Sequence, residues 1–302
     1  MHNIKTNFDK LFNLSKLYLK DYIVDTSDNF QLYRNKPKMS DCEIISLSLC
    51  SEALSIDSEN LFWEKLKVEY ALDFPNIIDR SNYNKRRRRL QHYIYILNEK
   101  MAQPFNEFED VFIVDSIPIP IVQLAREKRS KICKNDFETA PDKGYSAVSK
   151  SYYYGYKLHL STTLNGTFMS MDISKASVHD VHFLNNIKHS GMNNATLLGD
   201  KGYLSAQYQI DLFESCNIQL KTPLRSNQND YQKYPFLFRK CRKRIETLFS
   251  QLCDQFLLKR NYAKSFIGLL TRIKSKICAL TSLQVINKLN NKPINHLKFA
   301  LN

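Results

Sequence analysis

After residue 110 the sequence breaks into short apolar runs separated by turns, and the order of those runs constrains the fold more than any composition figure. Val111-Phe112-Ile113-Val114 predicts a first strand. Tyr152 to Leu160 is aromatic-rich and partly alternating, as a strand with one buried face is. Asn165-Gly166 predicts a tight hairpin turn, after which Thr167 to Ile173 returns as a third strand. A helix is expected to begin near Ser177 to Asp180 and to run through Phe183-Leu184. Ala195 to Leu198 and Ile218 to Lys221 read as a fourth and a fifth strand, with Gln207 to Ser215 helical between them. Past Pro223 a polar stretch leads into a long basic helix around Glu246.

Three strands, then helix, strand, helix, strand, helix, is the order of a ribonuclease-H-like α/β fold, a mixed five-stranded sheet with helices on both faces. The centre of such a sheet brings the ends of strands one and four side by side. Asp115 closes the first run and Asp200 closes Thr196-Leu197-Leu198-Gly199, so the two aspartates are expected together. The lysine-rich, weakly patterned segment from Gln123 to Lys150 is expected to be a mobile loop over that place. Residues 1–105 read instead as a small all-α domain. Ser40-Asp41-Cys42-Glu43 is a capping box ahead of the apolar face of Ile44, Ile45, Leu47, Leu49 and Leu54. Leu61, Phe62, Trp63, Leu66 and Tyr70 predict another helix, closed by Phe74-Pro75, and a third start at Ser81-Asn82 leads into Lys85-Arg86-Arg87-Arg88-Arg89. The division expected is a helical domain over 1–105 and a catalytic domain with C-terminal helices over 106–302.

Charge is distributed as unevenly as texture. The chain carries 44 Lys and Arg against 30 Asp and Glu, a formal net charge of +14, which calls for a polyanionic partner. Residues 1–110 hold 16 basic and 17 acidic residues, so the remaining 44 − 16 = 28 basic and 30 − 17 = 13 acidic residues give the later part a net charge of +15. Five consecutive cations, Lys85, Arg86, Arg87, Arg88 and Arg89, are too dense for pairing along a helix and are read as contacts to DNA phosphates, a solvated run being the bland alternative. The seven cysteines are scattered without a C-x-x-C pair, which argues against a zinc cluster or a disulfide framework and for buried free thiols. No apolar stretch approaches the roughly 18 residues of a membrane span, and none at the start reads as a signal peptide, so a cytoplasmic protein is expected.

The chemistry follows from three acids. Asp115, Asp200 and the helical Glu246, if brought together, would repel one another unless cations neutralised them. Oxygen-only ligands select Mg²⁺ or Mn²⁺ over zinc. Two such ions about 4 Å apart activate a nucleophile and stabilise the leaving oxygen of a phosphoryl displacement. Taken singly, each acid is as readily an ordinary turn or surface residue; the joint placement carries the reading. Ile245, Leu248, Phe249 and Leu252 form a core stripe beside Glu246, while Arg239, Arg242 and Lys243 lie seven, four and three residues before it, where they would face a phosphate. His179 and His182 read as helix caps or neighbours of the site and not as ligands, and Tyr152 to Tyr156 as aromatic strand packing.

Several of these pieces resemble the DDE transposases of bacterial insertion sequences, and among them the insertion-sequence 982 family. They are Val114-Asp115-Ser116, Tyr154-Gly155-Tyr156-Lys157-Leu158-His159, Ser177-Val178-His179-Asp180, Gly199-Asp200-Lys201-Gly202-Tyr203 and Arg244-Ile245-Glu246-Thr247-Leu248-Phe249-Ser250-Gln251-Leu252, with Ser40 to Glu43 and Tyr83 to Leu90 similar as well. The resemblance implies that Asp115, Asp200 and Glu246 are a catalytic triad holding two metal ions. It implies that water frees a 3′-hydroxyl at the element's end, and that this hydroxyl then attacks target DNA. It further implies an N-terminal domain that reads terminal inverted repeats, and a homodimer in the DNA complex. Lys157 and Lys201, inside two of the motifs, are read as further DNA contacts. Related transposases carry Tyr-x2-Arg-x3-Glu-x6-Lys around the third acid; here Arg242 and Glu246 fit, Arg239 stands for the tyrosine and Cys253 for the lysine, leaving Arg239, Lys259 or Arg260 to take that lysine's part. A nuclease that cuts without joining, or an inactive DNA-binding remnant, would share much of this pattern.

Overall fold

A computed structural model describes residues 3–224 and 235–301. Contacts divide the chain into two compact units: Met1–Met101 with Leu252–Tyr262 and Ile267–Asn302, and Ala102–Gln251 with Ala263–Phe266. The sequence division at 105/106 assigns the C-terminal helices to the sheet, whereas their contacts lie with the N-terminal helices.

The first unit contains α1 (Ile4–Tyr18), α2 (Asp41–Ala53), α3 (Glu59–Val68), α4 (Arg80–Arg89) and the start of α5 (Gln91–Asn106). The capping box forms as expected: the Glu43 backbone N–H donates to Ser40 Oγ at 3.0 Å, and the Ser40 N–H donates to Glu43 Oε2 at 2.6 Å. The last long helix of the chain, Phe266–Leu289, is buried along almost its whole length from Gly268 onward, polar residues included. Its hydroxyls cause no desolvation penalty, because Thr271, Ser275 and Ser282 donate to the carbonyls of Ile267, Thr271 and Cys278 at 2.6, 2.8 and 2.7 Å. Their small size lets α2 come close, with Ser48 and Ser275 hydroxyls 2.9 Å apart. Glu52 is buried between Arg272 and Lys276, and Lys276 also donates to the Phe256 carbonyl at 2.6 Å.

Among the described residues, the second unit is a mixed sheet of six strands, β1 (Val111–Val122), β2 (Asp142–Ser146), β3 (Ser151–Thr163), β4 (Phe168–Lys175), β5 (Thr196–Leu198) and β6 (Gln219–Lys221). The order β4-β3-β1-β5-β6, antiparallel on the β3 side and parallel on the β5 side, is ribonuclease-H-like. Three helices accompany the sheet: α6 (Leu184–Ile187), α7 (Ala206–Cys216) and α8 (Phe236–Asp254); the long buried helix after them is α9. The turn between β3 and β4 forms at Asn165-Gly166, with Gly166 at φ 78° and its N–H donating to Thr163 O at 3.0 Å.

Two expectations are corrected here. The sheet has six strands and not five, because the segment between β1 and β3 supplies β2 and a 3₁₀ helix, Leu124–Arg129, where an unpatterned loop was expected. Strand β2 is short, polar and glycine-containing, so it lacks the apolar alternation that marks a strand in sequence. Asp115 does not end its strand: β1 continues seven residues beyond it through Pro118 and Pro120. Those prolines are tolerated because β5 pairs with β1 only as far as Ile113, leaving the rest of β1 with one neighbour and an open edge. Opposite Pro120 lies Gly155, where an added Cβ would stand 2.1 Å from the Ile119 carbonyl oxygen, and the register shifts between Pro120 and Val122 in a bulge.

Alternation along β1 separates core from chemistry. Phe112 and Val114 join Leu197, Leu220, Phe183, Leu184, Ile187, Tyr203 and Leu212 in a cluster that packs α6 and α7 on one face of the sheet. Asp115, the residue after Val114, points to the other face, where Arg242 of α8 meets it.

Candidate active site

Asp115 sits two residues past Ile113, where β5 stops pairing with β1, so it faces the chain leaving β5. Gly199 packs on Val114 there, and Asp200 caps the 3₁₀ helix Lys201–Tyr203 by accepting the Gly202 N–H at 2.7 Å. A Cβ at Gly202 would lie 2.9 Å from Asp200 Oδ1 and 3.2 Å from Asp180 Oδ2, so only glycine lets these two carboxylates flank the same backbone. Asp180 also pairs with Lys157 of β3, Nζ to Oδ1 2.6 Å. The buried Tyr203 phenol is held well above its ordinary pKa, by burial first and then by Asp180, Asp115 and Asp200, which keeps its proton on.

Electrostatics marks Asp115 as the strained member. Its Oδ1 accepts the Ser116 N–H at 2.8 Å and its Oδ2 accepts from Arg242 Nη2 at 3.3 Å. Burial nevertheless pushes the carboxyl up to about 6; Arg242 opposes the shift and Asp200 adds to it. A buried carboxylate beside a second one is a place short of positive charge, and the donor set is all oxygen. Asp115 and Asp200 therefore fit a hard divalent cation, with the Arg242 guanidinium supplying part of the missing charge.

The other residues singled out in sequence are placed less uniformly. Glu246 is exposed on α8, one turn beyond Arg242, and among the described residues no group of three His, Cys, Asp or Glu side chains is spaced to hold a metal ion. Lys201, Arg239 and Lys243 are exposed, with the Arg239 guanidinium 5.9 Å from the Phe236 ring. Lys157 is largely buried against Asp180. His179 accepts the Val181 N–H at 3.4 Å as a cap, and His182 lies 3.3 Å from the Tyr208 hydroxyl. His159 is buried, stacked on Phe183 and bonded to Ser174 at 2.8 Å; burial lowers its pKa to about 4, so it is neutral.

In the first unit, the run on α4 splits. Arg87 is 3% exposed, donates to Glu59 Oε1 at 2.6 Å and lies over the Tyr83 ring, while Arg86 pairs with the buried Asp41 and donates to the Met39 carbonyl at 2.6 Å. Lys85 and Arg89 are exposed and Arg88 is half-buried. Asp180 and Tyr203 are the site neighbours to which sequence reading assigned no role. Their signal was present in the Ser177-Val178-His179-Asp180 and Gly199-Asp200-Lys201-Gly202-Tyr203 motifs, but only the fold shows them meeting.

The family model described as the transposase DDE domain matches residues 106–282, more than half of the chain. The chain belongs to the DDE transposase family. The matched stretch contains Asp115, Asp200, Glu246 and the cations of α8. Among solved structures, a Mos1 transposase paired-end complex with left transposon end is similar at 13% identity and a TM-score of 0.25, over 93% of this chain and 98% of that one. That likeness is too weak to carry an argument about this fold, which rests on its own strand order. No curated protein sequence matches. No helix among the described residues is long and apolar enough to cross a membrane.

Proposed function

We propose that this DDE transposase is that of an insertion sequence, of the insertion-sequence 982 family, and that it cleaves the element's ends and joins them to target DNA at Asp115, Asp200 and Glu246. The observation that carries the reading is that Asp115, buried on β1 just past its pairing with β5, lies near enough to Asp200 to feel its charge and is met by Arg242 of α8. Mg²⁺ or Mn²⁺ ions, two in number, held by Asp115 and Asp200 with Glu246 as third ligand, would supply activation of the attacking hydroxyl and charge stabilisation at the scissile phosphate.

The chain's own groups have definable parts. Arg242 neutralises Asp115 and approaches a bound phosphate from the same side. Asp180 holds the Lys157 ammonium beside the site, and the Tyr203 phenol stays a proton donor among the aspartates. Lys201, Arg239 and Lys243, together with Lys85, Arg89 and the half-buried Arg88 on the helical unit, offer cations to DNA phosphates. In this reading the helical unit grips the terminal inverted repeats, two copies pair two ends, and the protein works in the cytoplasm.

The test is incubation of purified protein with its element's end DNA and Mg²⁺, comparing wild type with Asp200→Ala. Wild-type cleavage at the element boundary, absent from the variant, is expected. Equal cutting by both proteins would remove Asp200 from the mechanism. Cutting by wild type without joining to a target would leave a nuclease.

A further inference from the structure

Strand β2 and the start of β3 form a ribbon that runs on past the rest of the sheet. Strand β1 pairs with β3 only from Tyr154 onward and β4 only from Tyr156, so the opposed pairs Tyr145–Tyr152 and Ser146–Ser151 have no third strand beside them. An apolar ring at such a place is exposed unless something covers it. Tyr145 is 56% exposed, Tyr152 65%, and Val148 at the tip 98%. The two rings meet edge to face, with centroids 5.2 Å apart at 63°, which leaves ring faces open.

Cations accompany the rings. Lys143, two residues before Tyr145 and on the same side of β2, lines a cleft of about 530 Å³ with Leu124, Ala125, Glu127, Lys128 and Arg129. Three cations against one acid make this cleft positive, and Lys143 bridges to Glu127 at 3.0 Å. Opposite Lys143 in the ladder is Tyr154, with Lys134 Nζ 5.3 Å from its ring centroid.

A positive groove leading to open aromatic faces matches what an unpaired nucleic-acid strand needs: cations track its backbone, and rings accept bases whose faces a duplex would hide. We propose that the β2–β3 ribbon and the cleft beside it bind an unpaired DNA strand, Tyr145 and Tyr152 stacking on its bases and Lys128, Arg129 and Lys143 facing its phosphates. The proposal rests on the DNA-cleaving reading above and extends it. Leu160, the ladder partner of Asp115, lies eight β3 positions from Tyr152 and on the same face, about 26 Å along the strand. The ribbon therefore lies at the far end of β3 from the candidate active site, with Tyr154, Tyr156 and Leu158 buried between the two.

The experiment measures binding of full-length protein to a fluorescein-labelled single-stranded thymidine oligonucleotide and to a duplex of the same length, in EDTA. Tyr145→Ala with Tyr152→Ala should weaken single-strand binding about tenfold or more and leave duplex binding unchanged, while Tyr145→Phe with Tyr152→Phe retains it. Lys128→Ala with Arg129→Ala should flatten the salt dependence of single-strand binding. Equal affinity of the double alanine variant and wild type would overturn the proposal, as would loss in the phenylalanine variant. So would a wild-type dimer that the alanine pair turns into monomer, since the ribbon would then join two copies of the chain. Binding is read in EDTA, where no cleavage occurs, so a failure of the catalytic reading is seen separately from a failure of this one.

Discussion

Helices α4 and α8 look alike in sequence and differ in what their cations do. Both carry dense Lys and Arg that read as surfaces for DNA. On α4, two cations of the run turn inward: Arg87 is buried against Glu59, and Arg86 meets the buried Asp41. Burial alone would raise the Glu59 carboxyl, and Arg87, with Asn84 and Arg272, outweighs it and holds the group below its ordinary range. On α8 Arg239 and Lys243 stay exposed, and among the described residues Arg242 alone of the three reaches an acid, Asp115. The lesson is that the acid to which a cation commits lies far along the chain. Glu59 is 28 residues from Arg87, and Asp115 is 127 from Arg242, so neither partnership leaves a mark on the helix itself.

The sharpest way to break this contrast is Arg87→Ala. Removing one partner of a buried ion pair leaves the other charge uncompensated, and stability should fall by about 3–5 kcal/mol. Urea unfolding checks it, and a variant as stable as wild type would return Arg87 to the surface. Arg242→Gln should act at the candidate site in a pH-dependent way. Asp115 is an acid whose folded pKa is raised to about 6, so its ionisation costs stability as pH rises from the ordinary carboxylate range through that value. Without Arg242 that cost grows. Unfolding at pH 8 should show a loss of about 1–3 kcal/mol relative to wild type, and at pH 5 a smaller one. Equal losses at the two values would separate Arg242 from the Asp115 charge. Lys243→Ala is the mildest change. Stability should stay within about 0.5 kcal/mol, while the slope of log affinity for DNA against log salt becomes shallower by about 0.9, one phosphate contact. An unchanged slope would place Lys243 away from DNA.

Much of the second unit was legible before its structure. The strand order, the Asn165-Gly166 turn and the meeting of Asp115 with Asp200 follow from apolar runs and their ends, because side-chain alternation and short connections leave few ways to build such a sheet. Strand β2 was not legible, since Asp142 to Ser146 has neither alternation nor β-branched residues and is held by its pairing with β3. The extension of β1 was hidden by Pro118 and Pro120, which argue against a strand unless one edge is known to be open. Nor could periodicity say that α9 is grouped with the N-terminal helices, because its apolar residues are interleaved with polar ones all round and mark no single face.

By itself the sequence determined the sheet's order, the capped helices in front of it, the polyanion-seeking charge and the acids on which chemistry could rest. Each is written in residues near one another along the chain. Only the tertiary structure decided that Arg242 meets Asp115, that Asp180 and Tyr203 stand beside Asp200, and that Arg86 and Arg87 are structural. Those outcomes depend on which charge is desolvated beside which, and that competition is settled by packing between segments that share no local pattern.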